Sequence, residues 1–298
     1  MLMQPLLDKL TQLRLPAFRE GLQEQLHNPQ FAQLAFEERL ALLVKLECTR
    51  RTDRRIQRRI HAAAFPFLAL AEDLDFSASR GLDRRFVLEL THCAWIESHL
   101  NAIVSGPTGA GKTFLACALG YSACRANFTV RYYRTSRLLQ QLARSHQDGS
   151  FSDLLTDLAQ TDLLIFDDWL RDPVSLPQAQ DLLEVLDDRF GRSSTLVATQ
   201  VPVSDHHSRF PEPTLADACL DRLVHNAIAS ICWVNPNAKC VPLYACRPLI
   251  YNLFVNAASL FNWTTKTGFG GRHKPDSLDG FTGIRITRWF RSPAARRV

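Results

Sequence analysis

Two patterns of hydrophobic and polar positions divide this chain of 298 residues. Up to about residue 75, apolar residues recur at helical spacing: a short pattern contains Leu6, Leu7, Leu10 and Leu13, and a longer one runs over residues 36–64. From about residue 100, short apolar runs alternate with amphipathic segments, which is typical of a parallel sheet with crossover helices. The pattern predicts a small all-α N-terminal domain, residues 1–75, followed by an α/β domain.

Within the α/β part, the short apolar runs predict strands at residues 102–105, 129–133, 163–166 and 195–199. The amphipathic segments predict helices at 113–124, 137–146, 179–190 and 215–226. Residues 76–99 are expected to pack as a linker helix against this core through Phe76, Leu82, Phe86, Leu90 and Trp95. The second domain is therefore drawn at residues 76–227.

The last part of the chain, residues 228–298, has no sustained period of either kind. It contains ten basic residues, no Glu, and only Asp276 and Asp279 as acids. Prolines, tryptophans and clustered glycines interrupt every helix or strand that one tries to draw. A segment of this kind has no consistent face to bury, so we expect an atypical basic tail that is disordered or translated out of frame.

Charge and hydropathy limit the class of protein. Lys and Arg outnumber Asp and Glu by 35 to 30, which permits a polyanionic partner but does not require one. No stretch of about 18 apolar residues is free of charge, so we expect neither a signal peptide nor a membrane span. The sequence therefore predicts a cytoplasmic protein.

The loop after the first predicted strand carries the strongest chemical signal. It fits the pattern GxxxxGK[ST] with Gly106, Pro107, Thr108, Gly109, Ala110, Gly111, Lys112 and Thr113. Glycines let backbone N–H groups converge on phosphates, the lysine reaches the β and γ phosphates, and the Thr113 hydroxyl can hold Mg²⁺. A chance glycine-rich turn is the alternative, but the strand-loop-helix context favours ATP binding.

A second motif lies further along the chain, where the apolar run at 163–166 ends in Asp167 and Asp168. In phosphoryl-transfer sites the first acid belongs to the Mg²⁺ shell, and a neighbouring acid orients or deprotonates the attacking water. We assign Asp167 to the metal and Asp168 to the water. An ordinary strand that ends in a polar turn is the alternative.

Two single residues are candidates for roles beside the γ-phosphate. Gln200 follows the fourth predicted strand, where a polar side chain can act as a sensor of the nucleotide, and a solvated turn before Pro202 is the alternative. Arg222 is placed where an arginine finger can reach the nucleotide of a neighbouring subunit. A surface arginine paired with Asp221 explains this position equally well.

Six arginines crowd one helical segment of the N-terminal domain, with Glu47 and Asp53 as the only acids nearby. They are Arg50, Arg51, Arg54, Arg55, Arg58 and Arg59, and the helical repeat puts Arg51, Arg55 and Arg58 on one stripe. Arginines grouped in this way should repel one another unless they bind an anion, so we expect contacts to DNA phosphates. A solvated charged face is the alternative.

Long strings of this sequence resemble one known family. They are FEERLALLVKLE, RGLDRRFV, GPTGAGKTFLACALG, VRYYRTSRLL, DLLIFDDW, QDLLEVLDDRFGRSSTLVATQVPV and PTLADACLDRLVHNA. Together they resemble the IstB-like transposition helper ATPases, relatives of the DnaC helicase loaders, over about residues 1–227. The resemblance implies a P-loop AAA+ fold, ATP-driven homo-oligomerisation on duplex DNA, and activation of a partner transposase.

The resemblance also bears on single residues. It places the family's ATP and Mg²⁺ roles on the two motifs above and favours the sensor role of Gln200 and the finger role of Arg222. Two features depart from the family. Leu170 stands where a glycine usually follows Asp-Asp-Trp and is expected to stiffen or displace the next loop. The usual final strand and Gly-Glu-Ser type motif are missing, and residues 228–234 are interpreted as an accidental substitute for that strand.

Three other functions remain open. A helicase loader would use the same ATPase core to contact a replicative helicase, although the N-terminal strings favour the transposition helper. A small-molecule P-loop kinase needs an acceptor pocket and a mobile lid, and the adjacent acids with a late arginine fit ATP hydrolysis better. The third is a degenerate DNA-binding module that keeps its nucleotide loop without turnover.

Overall fold

The computed structural model describes residues 3–76, 82–224, 226–232 and 241–242. Apart from two short strands, the predicted tail at 228–298 lies outside the described residues, so its disorder or shifted frame stays a prediction. Among the helices of the described ranges, none combines the length and the apolar character that a membrane crossing requires.

Three helices build the N-terminal part. Their bounds are Met3–Gln12 (α1), Pro16–His27 (α2) and Phe36–Ala63 (α3), with a 3-10 helix at Pro29–Gln33 before α3. Leu7 and Leu10 form the buried face of α1, and α2 begins with a proline at a position where its missing N–H is no loss. The helical periodicity is therefore confirmed, and α3 ends within one residue of its predicted bound.

A buried carboxylate joins α2 to α3. Glu47 of α3 is 6% exposed and accepts hydrogen bonds from the backbone N–H groups of Ala17 at 2.9 Å and Phe18 at 3.1 Å. These donors belong to the first turn of α2, which has no partner within its own helix. Burial acts to raise the pKa of Glu47, but the hydrogen bonds from Phe18, Arg51 and Ala17 outweigh it and hold the pKa below its usual value.

The α/β part is built on one sheet. Its strands are Asn101–Ser105 (β1), Val130–Arg134 (β2), Leu163–Asp167 (β3), Ser194–Thr199 (β4), Ala227–Cys232 (β5) and Val241–Pro242 (β6), in the order β2-β3-β4-β1-β5-β6. The first five strands run parallel and β6 is antiparallel to β5. The four predicted strands are confirmed within one residue at either end. β5 pairs with β1 and crosses the boundary drawn at 227.

Helices cover both faces of the sheet. The remaining α-helices of the described ranges are Arg84–Thr91 (α4), Ala94–Glu97 (α5), Lys112–Arg125 (α6), Thr135–Asp148 (α7), Phe151–Gln160 (α8), Leu176–Arg189 (α9) and Pro213–Val224 (α10), and short 3-10 helices lie at Ala71–Asp73, Val203–Asp205 and His207–Arg209. Side chains alternate along β3, so Ile165 packs with α4 to α6 and the end of α3, whereas Leu164 and Phe166 pack with α7 to α10. Burial on both faces explains the apolar runs in β1, β3 and β4, whereas the edge strand β2 carries polar residues and is only partly buried.

Two details differ from the sequence-based expectation. The linker at 76–99 is not one helix: α4 and α5 are separated at Cys93, whose φ of 62° cannot continue a right-handed helix. Leu90 and Trp95 nevertheless lie buried in the core as expected. α8 was not predicted, although Phe151, Leu154, Leu155 and Leu158 repeat at helical spacing and pack against the core.

A buried arginine binds backbone carbonyls within the α/β part. Arg189, at the end of α9, is 1% exposed. Its guanidinium donates to the carbonyl of Thr161 at 2.8 Å, to the carbonyls of Leu158 and Ser194, and to Thr195 Oγ1 at 3.3 Å. Burial lowers the pKa of Arg189 to about 9. One side chain thereby satisfies carbonyls at the end of α8 and the start of β4 that would otherwise be costly to bury.

Leu170, the departure from the family pattern, lies in a left-handed backbone conformation. Its φ is 51°, and the side chain is 1% exposed within the core beneath α7 and α9. A non-glycine residue there costs about 1–2 kcal/mol in backbone strain, whereas burial of a leucine contributes about 2 kcal/mol. The side chain therefore anchors the loop after β3 at the expense of backbone strain.

Replacing Leu170 by Gly and by Ala separates these two contributions. Both variants lose the buried side chain, and we expect urea denaturation to give each a free energy of unfolding about 2–4 kcal/mol below that of the parent. Only glycine relieves the left-handed backbone, so Leu170→Gly should be more stable than Leu170→Ala by about 0.5–1 kcal/mol. The control position is Leu182 in the middle of α9, where the free energy of unfolding of the Ala variant should exceed that of the Gly variant by about 1 kcal/mol. The same order at both positions would contradict the left-handed assignment.

Candidate nucleotide site

The candidate site lies where three neighbouring strands end. Residues 106–113, here called the P-loop, follow β1. Asp167 ends β3, and Gln200 comes directly after β4, which lies between β1 and β3 in the sheet. Carboxyl ends of parallel strands meet at one edge of a sheet, and this is where open α/β folds bind ligands. The order of the strands therefore brings residues 106 and 200, which are 94 positions apart in the sequence, to the same edge of the sheet.

The P-loop has the backbone that phosphate binding requires. Gly109 and Gly111 have φ values of 80° and 93°, a region that strongly favours glycine, and Gly111 precedes the first residue of α6. The N–H of Gly106 donates to the carbonyl of Thr199 at 3.2 Å, which fixes the start of the loop to β4. The N-terminus of α6 thus lies at the end of this loop, where the positive end of the helix dipole is suited to an anion.

Lys112 lies at the first turn of α6 and folds back over the loop. Its Nζ donates to the carbonyl of Pro107 at 2.9 Å. Burial lowers the pKa of Lys112, while the nearby carboxylates of Asp167 and Asp168 act in the opposite direction. The ammonium group is therefore held between the loop and the two acids, where it can neutralise phosphate charge.

Asp167 joins the P-loop to β3. Its carboxylate is 2% exposed, and Oδ2 accepts hydrogen bonds from Thr113 Oγ1 at 2.9 Å and from the Tyr132 hydroxyl at 2.6 Å. The other oxygen, Oδ1, accepts the N–H of Asp168 at 3.0 Å. Thr135 Oγ1 donates to the carbonyl of Asp167 at 3.0 Å. The two residues predicted to hold Mg²⁺ are thus in direct contact.

Asp168, predicted to orient the water, turns the chain out of β3. Its φ is 53°, a left-handed conformation that aspartate tolerates better than most residues, and its side chain is 37% exposed. The carboxylate lies 3.7 Å from the guanidinium of Arg171, which also pairs with Asp172 at 2.9 Å. Asp168 is therefore accessible to water beside the buried Asp167.

Of the two other candidate residues, Gln200 contacts the P-loop and Arg222 pairs with another helix. Gln200 contacts the P-loop, because Thr108 Oγ1 donates to its Oε1 at 2.6 Å. Arg222, on α10, pairs its guanidinium with Asp187 of α9 and donates to the carbonyl of Ala218 at 3.1 Å. Within the described ranges no contact joins the Arg222 side chain to the P-loop. Its role toward a neighbouring subunit stays a prediction.

The six arginines of α3 divide into two groups. Three of them bond to other side chains: Arg50 pairs with Glu20 at 2.5 Å, Arg51 with Glu47 at 2.9 Å, and Arg59 donates to Asn127 at 2.7 Å. The other three, Arg54, Arg55 and Arg58, are exposed and form no ion pair within the described part of the chain, although Arg58 Nε donates to the carbonyl of Arg54 at 3.3 Å. This second group has no carboxylate partner there and can meet an external anion.

The oxygen atoms at the end of β3 are of the kind that binds Mg²⁺ together with ATP. Mg²⁺ prefers oxygen ligands and keeps several waters, so it is bound by one or two protein oxygens together with substrate phosphates. A buried carboxylate and the hydroxyl of Thr113 supply these oxygens beside a loop of N–H groups. Over the described ranges no cluster of three or more His, Cys, Asp or Glu side chains offers a metal cage of its own.

Sequence reasoning missed two residues of this site. Tyr132, on β2, was assigned only to a strand, although β2 ends beside β3 and its side chain reaches the Asp167 carboxylate. Arg171 was not singled out, although it follows the paired acids at a spacing of three. The available signal for Tyr132 was a phenol on the strand that precedes the acidic motif, although the neighbouring Tyr133 carries the same group.

Comparisons with known proteins agree with this geometry. Residues 8–235 match the family model described as IstB-like ATP binding protein. An insertion-sequence ATP-binding protein of Sinorhizobium fredii, y4pL, is 43% identical over 227 residues, 76% of this chain and 93% of that protein. The ATP-binding protein of insertion sequence IS1162 from Pseudomonas fluorescens is 43% identical over 205 residues, 68% of this chain and 89% of that protein.

One solved structure, that of the DnaC helicase loader, aligns with a TM-score of 0.48 and 18% identity over 56% of this chain and 96% of that chain. The family match extends past the predicted limit at residue 227 and takes in β5. Since the family model spans most of the residues and both relatives align over more than two thirds of the chain, the chain belongs to the family of IstB-like ATP-binding proteins.

Proposed function

We propose that this protein is an Mg²⁺-dependent ATPase that assembles as a homo-oligomer on duplex DNA and activates a partner transposase. The observation that carries the ATPase part is the contact of Thr113 with Asp167 beside Lys112, because it unites the phosphate loop and the acidic strand end in one site. The names of the relatives, which are ATP-binding proteins of insertion sequences, support the link to transposition.

The residues divide the chemistry among them. The loop N–H groups and Lys112 offset the charge of the phosphates, and Thr113 with Asp167 holds Mg²⁺, which would neutralise charge that develops on the phosphate oxygens. Asp168 is accessible beside them and can orient or deprotonate the attacking water. Gln200 touches the P-loop and would report the γ-phosphate. Arg222 would complete the site of a neighbouring subunit.

A helicase loader is the second candidate, because it would use the same nucleotide site. Two insertion-sequence ATP-binding proteins share 43% identity with this chain, which favours the transposition helper. A module that binds ATP and DNA without turnover is the third. ATP turnover measured with and without duplex DNA, and with and without the transposase of the same element, discriminates among the three.

The Lys112→Ala and Asp168→Asn variants test the nucleotide site. Lys112→Ala removes the charge that meets the phosphates and should abolish most ATP binding. Asp168→Asn keeps that charge, so we expect near-parental binding with turnover lowered about 10²–10⁴-fold. Binding is measured with a fluorescent ATP analogue and turnover by phosphate release. Equal ATP affinity in Lys112→Ala and the parent would overturn the P-loop assignment.

The exposed arginines of α3 test the DNA interface. Changing Arg54, Arg55 and Arg58 to Ala should weaken binding about equally on unrelated duplexes and reduce the slope of log K against log salt by about 2.7. Fluorescence anisotropy over a salt series measures both quantities. The matched control removes three exposed arginines outside α3, namely Arg137, Arg144 and Arg192.

The two triple variants carry the same net charge, so a general electrostatic effect would change both slopes alike. A slope that falls only in the α3 variant supports a phosphate-binding face on that helix. An unchanged slope in the α3 variant would assign these arginines to a solvated surface.

A further inference from the structure

We propose that Tyr132 is a positioning residue for Mg²⁺: its hydroxyl fixes the Asp167 carboxylate in the orientation in which that group and Thr113 hold the metal. This inference rests on the proposed Mg²⁺-dependent ATP binding and adds a residue outside both sequence motifs. The observation behind it is the 2.6 Å hydrogen bond from the Tyr132 hydroxyl to Oδ2 of Asp167.

Tyr132 reaches Asp167 because β2 and β3 are paired in parallel register. Tyr132 is opposite Ile165, and its side chain extends along the face of the sheet toward the end of β3. The tyrosine is 8% exposed and lies in the apolar cluster beneath α6, where the ring of Phe65 meets it edge-on at 6.5 Å between centroids. The ring is therefore held on several sides, and the hydroxyl has little freedom to leave Asp167.

The donors on Asp167 show why this hydroxyl matters. Oδ2 accepts from Thr113 and Tyr132, and Oδ1 accepts from the N–H of Asp168. A hydroxyl has one proton and two lone pairs, so Thr113 can hold Mg²⁺ through a lone pair and still donate its proton to Asp167. Among the described residues, Tyr132 is the side-chain donor to Oδ2 that is not itself assigned to the metal. Outer partners of this kind set the orientation of metal-binding carboxylates, and their loss commonly costs 10–100-fold in metal affinity.

The Tyr132 hydroxyl is the donor in this bond, because an ionised carboxylate can only accept and a phenol is protonated at physiological pH. The hydrogen bond from Tyr132 restricts the movement of the carboxylate oxygen, and the carboxylate keeps its negative charge. Asp167 can therefore still attract a cation.

The adjacent residue supplies a matched control. Tyr133 points to the other face of the sheet, where it packs with α7 to α10, and its hydroxyl forms no hydrogen bond within the described ranges. Tyr133→Phe removes the same atom from the same strand without touching Asp167. Tyr132→Phe keeps the ring and its packing and removes only the donor.

The experiment titrates Mg²⁺ against a fixed concentration of a fluorescent ATP analogue in the parent, Tyr132→Phe and Tyr133→Phe. We expect the Mg²⁺ concentration at half-maximal response to rise about tenfold or more in Tyr132→Phe and to stay at the parental value in Tyr133→Phe. Binding in EDTA should be alike in all three, and excess Mg²⁺ should restore the response of Tyr132→Phe. A purely structural role would lower the thermal stability of Tyr132→Phe without moving the Mg²⁺ midpoint.

Two negative results have different meanings. A parental response to Mg²⁺ with an unchanged midpoint in Tyr132→Phe would overturn this inference and leave the proposed function intact. A parent whose nucleotide binding does not respond to Mg²⁺ at all would contradict the proposed function and this inference together.

Discussion

The contact between Thr113 and Asp167 depends on the order of the strands, and the candidate site depends on that contact. β4 separates β1 from β3, and Thr113, the second residue of α6, bridges it by donating a hydrogen bond to Asp167 at the end of β3. Two further hydrogen bonds join the P-loop to β4 and to the residue after it. The N–H of Gly106 donates to the carbonyl of Thr199, and Thr108 Oγ1 donates to Gln200 Oε1. A one-residue slip of β3 would turn Asp167 toward the opposite face of the sheet and separate the two motifs.

The same strands connect the nucleotide site to the N-terminal helices. Arg131 of β2 donates to the carbonyl of Ala62 at the end of α3, at 2.6 Å. Phe65, just beyond α3, packs against Tyr132, and a methyl group placed on Gly120 would come within 2.7 Å of the Phe65 ring. The end of the helix that carries the arginines therefore packs against the residue that holds Asp167. Only a glycine in α6 permits this approach, which explains a small residue inside that helix.

The sequence sufficed where a pattern is local. Short, largely apolar segments predicted four strands closely, and the spacing of the P-loop glycines predicted a backbone that Gly109 and Gly111 adopt. Contacts between distant segments carry no such signal. Arg189 resembles a surface arginine near a helix end, yet it is buried because three carbonyls of other segments need donors. Tyr132 likewise resembles an ordinary strand residue until β2 is paired with β3.

The arginines of α3 illustrate the same limit for electrostatics. The sequence suggests mutual repulsion because acids are scarce within the helix itself, but Glu20 of α2 compensates Arg50 from another helix. Glu47 compensates Arg51 while it also holds the first turn of α2, so this arginine belongs to the packing of the N-terminal helices. Arg59 donates to the neutral side chain of Asn127 and is partly buried, which leaves Arg54, Arg55 and Arg58 as the exposed arginines without a carboxylate partner among the described residues. Because affinity for a polyanion scales with the number of phosphates neutralised, the expected contribution of α3 is about three phosphate contacts rather than six.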